Sequence, residues 1–516
     1  MPDAPWWRSA ILYQIYPRSF ADGGRGGPAG AGVGDLEGIR CHLDHLVWLG
    51  VDAIWLSPFY RSPMADFGYD VSDHCDVDPV FGSLADFDHL LAEAHQRGLR
   101  VLIDWVPNHT SDRHPWFLAA RSSRHDAHRH WYVWRDPAPG GGPPNNWTAA
   151  FGTDVAAWTF DPETDQYYLH LFLPEQPDLN WSHRPVVEAM HDVLRFWLDR
   201  GVDGFRADVV HAIGKDPALA DDPEELVGQA RSSTNDDPAT HGLLREIRTL
   251  LDTYRGERVM VGEVYLLDTA KVAPYYGSDD ELHLAFNFPP LYAPWDAEAW
   301  RTAIQAVQQH LLDAGAWPTW VLGNHDNPRP ATRYGSEARA RAAGVLLLGL
   351  PGTPFLYAGD ELGLQDAVVP PEAVVDPGGR DGCRAPIPWD DSPGHGWGAE
   401  PWLPWPPEPA TRSVAVQRND PSSMLHLYRR LLAARRASPA LSLGRLDLVD
   451  TPPGVLAWSR SSGDDRRMAA VNFTSRPAAV PLEGNWEVEV ASDGAGEGAG
   501  WEGVLAPDQA VVLRPG

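Results

Sequence analysis

A unit made of an amphipathic helix, a glycine and a short apolar strand recurs at least four times along this chain. In its first copy, apolar residues keep helical spacing from Asp35 to Gly50, and the apolar run 51–56 follows. Further copies cover 83–104, 185–208 and 244–263, and weaker strands lie at 11–16, 284–288, 320–323 and 355–357. Eight strands alternating with helices predict an α/β fold, a (β/α)8 TIM barrel.

Two regions lack this repeat. The segment 109–181 is rich in Trp, His, Pro and Gly, which is typical of a lip domain inserted after the third strand. Helical spacing at 424–434 predicts the last barrel helix, ended by Pro439, and short alternating strands follow. The predicted domains are therefore a barrel formed by 1–108 and 182–438, an inserted domain 109–181, and a C-terminal antiparallel β-sandwich domain 439–516. The Pro-rich segment 369–409 is expected to form a long ordered loop after the eighth strand.

Charge and cysteine content exclude several classes of protein. Acidic residues number 71 against 42 basic ones, and the resulting net charge of −29 at pH 7 repels nucleic acid and anionic membranes. Cys41, Cys75 and Cys383 are too few and too widely spaced for a disulfide framework or a thiolate metal site. Neither a signal peptide nor an 18-residue apolar run is present, so we expect a cytoplasmic protein.

Carboxylates follow four of the predicted strands: Asp104, Asp208, Glu263 and Asp326. Barrel enzymes build their active sites at the carboxyl ends of the strands, where the βα loops meet. Any one such residue is more often a helix cap or a loop acceptor. Four of them at one barrel mouth indicate an active site.

The segment Gly204–Asp208 carries the most specific chemistry. Arg206 and Asp208 are two apart on a strand, so they project to the same side, and the guanidinium is expected to lower the pKa of Asp208. Asp208 is therefore predicted as a nucleophile and Glu263 as a general acid and base, a pair typical of glycoside hydrolysis. The alternatives are ion pairs inside the barrel. Carboxyls about 5–5.5 Å apart predict a retaining reaction, and a separation beyond about 6.5 Å an inverting one.

Four short segments, DWVPNH at 104–109, GFRAD at 204–208, GEV at 262–264 and GNHD at 323–326, resemble the motifs of the alpha-amylase family in order and spacing. QPDLNW at 176–181 is similar to the segment that marks its oligo-1,6-glucosidase and alpha-glucosidase branch. The resemblance covers essentially the whole chain.

Position by position, the resemblance implies Asp208 as nucleophile, Glu263 as acid and base, and Asp326 as a third carboxylate that grips sugar hydroxyls. Asp66 would block the far end of the pocket. A pocket blocked in this way accepts only the terminal sugar of a chain, which implies cleavage from chain ends. The residues with implied sugar-binding roles are Asp66, Tyr69, His109, Phe151, Arg206, His325 and Arg384, with Arg380 as the alternative to Arg384.

Metal and cofactor sites are not expected. Relatives carry an Asp-x-Asn-x-Asp calcium loop after the first strand, whereas residues 22–35 of this chain are expanded with glycine and have no acids in the middle. His125, His128 and His130 lack a fixed ligand spacing.

The expected function is an exo-acting retaining alpha-glucosidase that acts on small oligosaccharides such as maltose and isomaltose, with transglucosylation. The alternatives are a sucrose hydrolase, a sugar isomerase, a trehalose-forming enzyme and a non-catalytic interaction module. Val209 directly follows the predicted nucleophile. Valine at this place resembles the family members that cleave alpha-1,6 linkages, but residues 210–211 depart from their pattern. Linkage preference and oligomeric state stay open.

Overall fold

The computed structural model describes residues 4–24, 31–151, 155–223 and 236–516. One sheet of eight parallel strands forms its centre, in the spatial order β6-β5-β4-β3-β2-β1-β8-β7. These strands are β1 Leu12–Ile15, β2 Ala53–Leu56, β3 Arg100–Trp105, β4 Gly204–Ala207, β5 Val259–Gly262, β6 Leu284–Ala285, β7 Thr319–Val321 and β8 Thr353–Tyr357. The predicted TIM barrel is confirmed.

The hydroxyl of Thr319 joins the two ends of this sheet. It donates a hydrogen bond of 2.8 Å to the carbonyl of Ala285 on β6 and accepts one of 3.3 Å from the amide of Asn287. A side chain thus replaces the backbone ladder between β6 and β7, and the barrel is nearly closed.

Helices follow the strands as the repeat predicts. The main ones are Leu36–Cys41, Leu43–Leu49, Leu84–Gln96, Arg184–Arg200, Ala239–Asp252, Thr269–Val272, Ala297–His310, Pro330–Arg333, Glu337–Gly349, Val414–Arg418 and Met424–Ala437. Among the described helices, none is both long and apolar enough to cross a membrane.

The single helix predicted over 35–50 is wrong, because the structure has two helices that meet at His42. The His42 Nδ1 atom lies 2.7 Å from the Gly38 carbonyl, and its ring centroid lies 3.6 Å from that of Trp389. The side chain thus takes a carbonyl that a continuous helix would use, and the helix breaks there.

The predicted helix ends have the expected chemistry. Asp35 accepts a 2.7 Å hydrogen bond from the amide of Gly38, and Ser83 and Asp86 form a capping box. Gly50 and Gly201 both end their helices at φ 104°, a left-handed conformation that strains residues with a Cβ.

The segment after β3 contains its own small sheet. The helix Pro115–Ser122 precedes three antiparallel strands, Trp134–Arg135, Trp158–Asp161 and Gln166–Leu169. Its return path pairs Asp178 with His109 just beyond β3, so the segment stands at the carboxyl ends of the barrel strands.

A buried ion pair fastens this segment to the barrel. The Lys215 ammonium lies 3.0 Å from Asp178 Oδ2, and both side chains are buried. The same ammonium donates to Asn108 Oδ1 at 3.0 Å and to the Ala212 carbonyl at 3.1 Å. One cation therefore connects the inserted segment with the loops after β3 and β4.

The C-terminal part is an antiparallel β region, as predicted. Its five-stranded sheet has the order Arg445–Val449, Val455–Ser462, Asp465–Asn472, Ala510–Pro515 and Trp486–Ala491, and Ala478–Ala479 pairs with Val504–Leu505. The strand Arg445–Val449 was missed. Pro439 follows the last barrel helix as expected, but it also starts a short helix, Pro439–Leu443.

We predict that Lys215→Met lowers the free energy of unfolding by about 3–5 kcal/mol, because it leaves the buried Asp178 carboxylate without its cation. Urea unfolding followed by tryptophan fluorescence measures the change. The double variant Lys215→Met, Asp178→Asn is the matched control: a neutral amide at 178 should recover part of the loss. If Lys215→Met costs less than 1 kcal/mol, the ion pair does not have this role.

Candidate active site

Arg206 on β4 gathers the carboxylates of three neighbouring strands. Its Nη1 atom lies 2.7 Å from Asp104 Oδ1 and 2.7 Å from Asp208 Oδ1, and its Nη2 atom lies 2.8 Å from Glu263 Oε2. The guanidinium is only 3% exposed. The sequence spacing predicted the Arg206–Asp208 pair, which is one part of this larger cluster.

Burial changes the charge balance expected for Asp208. The sequence predicts that Arg206 lowers the pKa of Asp208, but burial raises this pKa well above its ordinary value and outweighs the guanidinium. Burial likewise raises the pKa of Asp104 to about 6. Asp104 and Asp208 contact the same guanidinium nitrogen, so the charge of each affects the pKa of the other.

The backbone after the nucleophile candidate positions Glu263. The amide of Val209 donates a 2.9 Å hydrogen bond to Glu263 Oε2. Val209 has φ 36°, a left-handed conformation that is strained for a β-branched residue. Such strain is typical of functional sites, and here it aims one amide at a carboxylate that Arg206 also holds.

His325 lies between two polar partners in the barrel mouth. The side-chain amide nitrogen of Gln14 is 2.7 Å from its Nδ1 atom, and the Tyr69 hydroxyl is 2.6 Å from its Nε2 atom. Because an amide nitrogen only donates, Nδ1 accepts and the ring proton is on Nε2. Burial lowers the pKa of His325 to about 3, so the ring is neutral near pH 7.

Two arginines form ion pairs with Asp326. Arg380 Nη1 lies 2.9 Å and Arg384 Nη2 lies 3.1 Å from Asp326 Oδ1. Burial raises the pKa of Asp326, but His325 and these two arginines lower it by a larger amount. The net pKa of Asp326 is therefore below its usual range. Asp326 is therefore a carboxylate at neutral pH.

Arg380 also closes one end of the site. Its Nη2 atom lies 2.5 Å from Asp66 Oδ1 and 2.6 Å from Asp376 Oδ1. Gln176 donates a 3.1 Å hydrogen bond to the other oxygen of Asp66 and lies 3.1 Å from His109 Nε2. The guanidinium of Arg380 lies 5.0 Å from the ring centroid of Phe151.

These groups surround a cavity of about 180 Å³. Ligand pockets for larger molecules hold about 300–1,000 Å³, so this cavity suits one small ring. The predicted residues that line it are Asp66, Tyr69, His109, Phe151, Asp208, Glu263 and Asp326. Arg206, His325 and Arg384 lie behind the wall and hold residues that line it. Of the two alternative arginines, Arg380 lines the cavity and Arg384 is fully buried behind Asp326.

Several lining residues were missed by sequence reasoning: Ala150, Phe172, Tyr265, Phe288, Tyr292, Asn324 and Asn327. Asn324 lies within the GNHD motif, Asn327 follows it directly, and Tyr265 is two residues beyond Glu263, so their spacing was an available signal. Phe172 comes from the inserted segment and Tyr292 from a loop, and no local pattern marks either one.

Among the residues that the structure describes, no group of three or more His, Cys, Asp or Glu could hold a metal ion. The glycine-rich loop expected to bind no calcium includes 25–30, which lie outside the described residues. The expectation for that loop stays a prediction.

Comparison with known proteins agrees with this geometry. The family model for the alpha-amylase catalytic domain matches residues 14–444. A probable alpha-glucosidase of Rhizobium meliloti (strain 1021) is 42% identical over 93% of this chain and 92% of its own length. The crystal structure of an alpha-glucosyl transfer enzyme, XgtA, is 41% identical, with a TM-score of 0.92 and full coverage of both chains.

The trehalulose synthase MutB from Pseudomonas mesoacidophila MX-45 is 35% identical, with a TM-score of 0.92 over 99% of this chain and all of that one. The family model and these relatives each cover most of the chain. This protein belongs to the alpha-amylase family of glycoside hydrolases.

Proposed function

We propose that this protein is an exo-acting, retaining alpha-glucosidase that removes terminal α-linked glucose from small oligosaccharides of the maltose and isomaltose type. The observation that carries the proposal is the sharing of one guanidinium by Asp208 and Glu263 at the edge of a cavity sized for one sugar ring. Two carboxyls held by neighbouring nitrogens of one cation are close together, as double displacement requires.

The residues divide the reaction between them. Glu263 gives a proton to the glycosidic oxygen while an oxygen of Asp208 attacks the anomeric carbon, so the leaving sugar departs and a glycosyl ester forms. Glu263 then takes a proton from water, which attacks the same carbon and releases Asp208. The two inversions give net retention at the anomeric carbon.

Electrostatics favour the positively charged transition state of this reaction. With Glu263 protonated as the acid, five carboxylates remain at or just behind the cavity wall (Asp66, Asp104, Asp208, Asp326 and Asp376), against three arginines (Arg206, Arg380 and Arg384). This excess of negative charge stabilises an oxocarbenium-like ring, because the charge develops in a buried, preorganised site. Asp326 also offers oxygens to sugar hydroxyls.

The closed end of the cavity supports cleavage from chain ends. Asp66 and Arg380 form an ion pair there, and Gln176 and His109 complete the wall. A second sugar has no room beyond this wall, so only a terminal residue fits. Aromatic residues line the cavity too: the Tyr265 hydroxyl lies 3.0 Å from that of Tyr292, which is 45% exposed. Such rings can stack on a departing or accepting sugar, which supports transglucosylation.

A sugar isomerase is the second candidate, because the trehalulose synthase has the same architecture at similar length. The two reactions share the glycosyl ester and differ in what attacks it.

We predict that Asp208→Asn lowers kcat on p-nitrophenyl α-glucoside by about 10⁴-fold or more, because the amide cannot form the ester. The measurement is initial rate, with circular dichroism to verify folding. Azide should restore turnover to Asp208→Gly, since a small anion can occupy the vacated position, and should have no such effect on Asp326→Asn. Undiminished activity in Asp208→Asn contradicts the assignment.

Products distinguish the candidate substrates and reactions. We expect glucose from maltose and isomaltose, formed first as the α-anomer in a proton NMR time course. Maltosides blocked at the terminal 4- and 6-hydroxyls should be inert, because Asp66 and Arg380 leave no room for the blocking group. Conversion of sucrose mainly into an isomeric disaccharide would support the isomerase instead, and cleavage of the blocked maltoside would contradict exo action.

The acid limb of kcat/KM should lie above pH 4. The nucleophile acts ionised, so activity is present above its pKa and is lost as pH falls through it. Because burial raises the pKa of Asp208 above the ordinary value of about 3.9, the loss occurs at higher pH. Rates from pH 3 to 8, with aliquots returned to pH 7 to verify stability, test this. A limb at or below pH 4 contradicts it.

A further inference from the structure

A second cavity lies at the opposite end of the barrel. It holds about 490 Å³ and is bounded by residues that precede β1, β2 and β3 and by the two last helices of the barrel region. Its wall includes three arginines (Arg100, Arg435 and Arg436), three serines (Ser9, Ser442 and Ser462), Trp6 and one acidic residue, Asp52. Asp208, Glu263 and Asp326 follow the carboxyl ends of β4, β5 and β7, whereas this cavity lies at the amino ends of β1, β2 and β3, so the two cavities are separate.

Arg435 is a buried cation held by backbone carbonyls. It is 1% exposed and donates to the carbonyls of Leu348, Leu350 and Gly352. Within the described ranges it forms no ion pair with a carboxylate, and its Nε atom has no hydrogen-bond partner. Burial lowers the pKa of Arg435 to about 10, although the charge of nearby Asp52 acts in the opposite direction.

A second buried arginine adds to this charge. Arg460 is fully buried and donates to the carbonyls of Gly349 and Gly444. In the described part of the chain it too lacks a carboxylate partner, and burial and then Arg435 lower its pKa well below its ordinary value. Ser462, two residues on from Arg460, lines the cavity. Two like charges are therefore buried beside this wall.

The cavity rim carries more positive than negative charge. Arg436 pairs with Asp52 at 2.6 Å, while Arg100 and Arg258 both pair with Asp203, at 3.1 and 3.3 Å. Asp203 also lies 2.7 Å from His95 Nε2. Among the residues that line the cavity, three arginines (Arg100, Arg435 and Arg436) stand against one carboxylate, Asp52, and the Glu257 carboxylate lies 3.3 Å from the Trp6 amide nitrogen. In a chain whose net charge is −29, such a region is opposite in sign to the rest.

We propose that this cavity is a binding site for a phosphorylated sugar, with the phosphate against its arginines and the sugar against Trp6. Arginine presents planar, paired donors that match phosphate oxygens, and the serine hydroxyls supply further donors. The ring of Trp6, which has the Arg100 guanidinium 4.5 Å from its centroid, offers a flat apolar face for a sugar. A volume of about 490 Å³ exceeds what inorganic phosphate needs and suits a small metabolite.

The test is binding of glucose 6-phosphate and of inorganic phosphate to the full chain, by isothermal titration calorimetry at constant ionic strength set with chloride. We expect saturable binding of both probes at one site, glucose 6-phosphate at least threefold tighter. The variant Arg100→Gln, Arg436→Gln should weaken both at least tenfold, because these two arginines are partly exposed and are not in the catalytic cavity. The matched control is Arg429→Gln, on the same helix as Arg436 but outside the cavity, which should bind like the unaltered protein.

Several results would overturn the proposal. Absence of saturable binding to the unaltered protein, or weakening below tenfold in the double variant, means that these arginines serve only their carboxylate and carbonyl partners within the protein. Equal affinity for the two probes removes the sugar from the ligand. Competition between glucose 6-phosphate and a p-nitrophenyl α-glucoside would place the phosphate ester in the active site instead. Thermal unfolding of the double variant verifies that it is folded.

Discussion

The arrangement of the active site depends on one buried cation. Arg206 contacts Asp104, Asp208 and Glu263, which come from three neighbouring strands. Without it these carboxylates would face one another in a nearly dry space, where like charges are strongly unfavourable. The guanidinium has paired nitrogens at fixed spacing, so it also sets how far apart Asp208 and Glu263 are held. Charge compensation and geometry therefore have the same source.

Layers of support extend outward from that cation. Gln14 and Tyr69 orient His325, while Arg380 and Arg384, both from the segment after β8, hold Asp326. The strained backbone at Val209 adds an amide donor to Glu263. Because most of these partners are buried, the site is preorganised before any sugar enters, as electrostatic stabilisation of a transition state requires.

The two ends of the barrel differ in charge. Around the catalytic cavity, carboxylates outnumber arginines, and this excess of negative charge favours a transition state in which a sugar ring is positively charged. At the other end, Arg435 and Arg460 are buried and donate to carbonyl oxygens, in a protein that is acidic as a whole. The strands give each end its own set of loops, so the two environments can coexist in one fold.

The amino-acid sequence alone determined the barrel, its helix ends and the strand-end carboxylates, because helical periodicity, capping residues and short motifs are local signals. Tertiary structure decided what depends on distant neighbours. The pKa of Asp208 follows its burial rather than its neighbour Arg206, and Arg380 rather than Arg384 reaches the cavity because of how one loop folds back. Phe172 and Tyr292 join the wall from remote segments. Burial and long-range contact leave no local pattern.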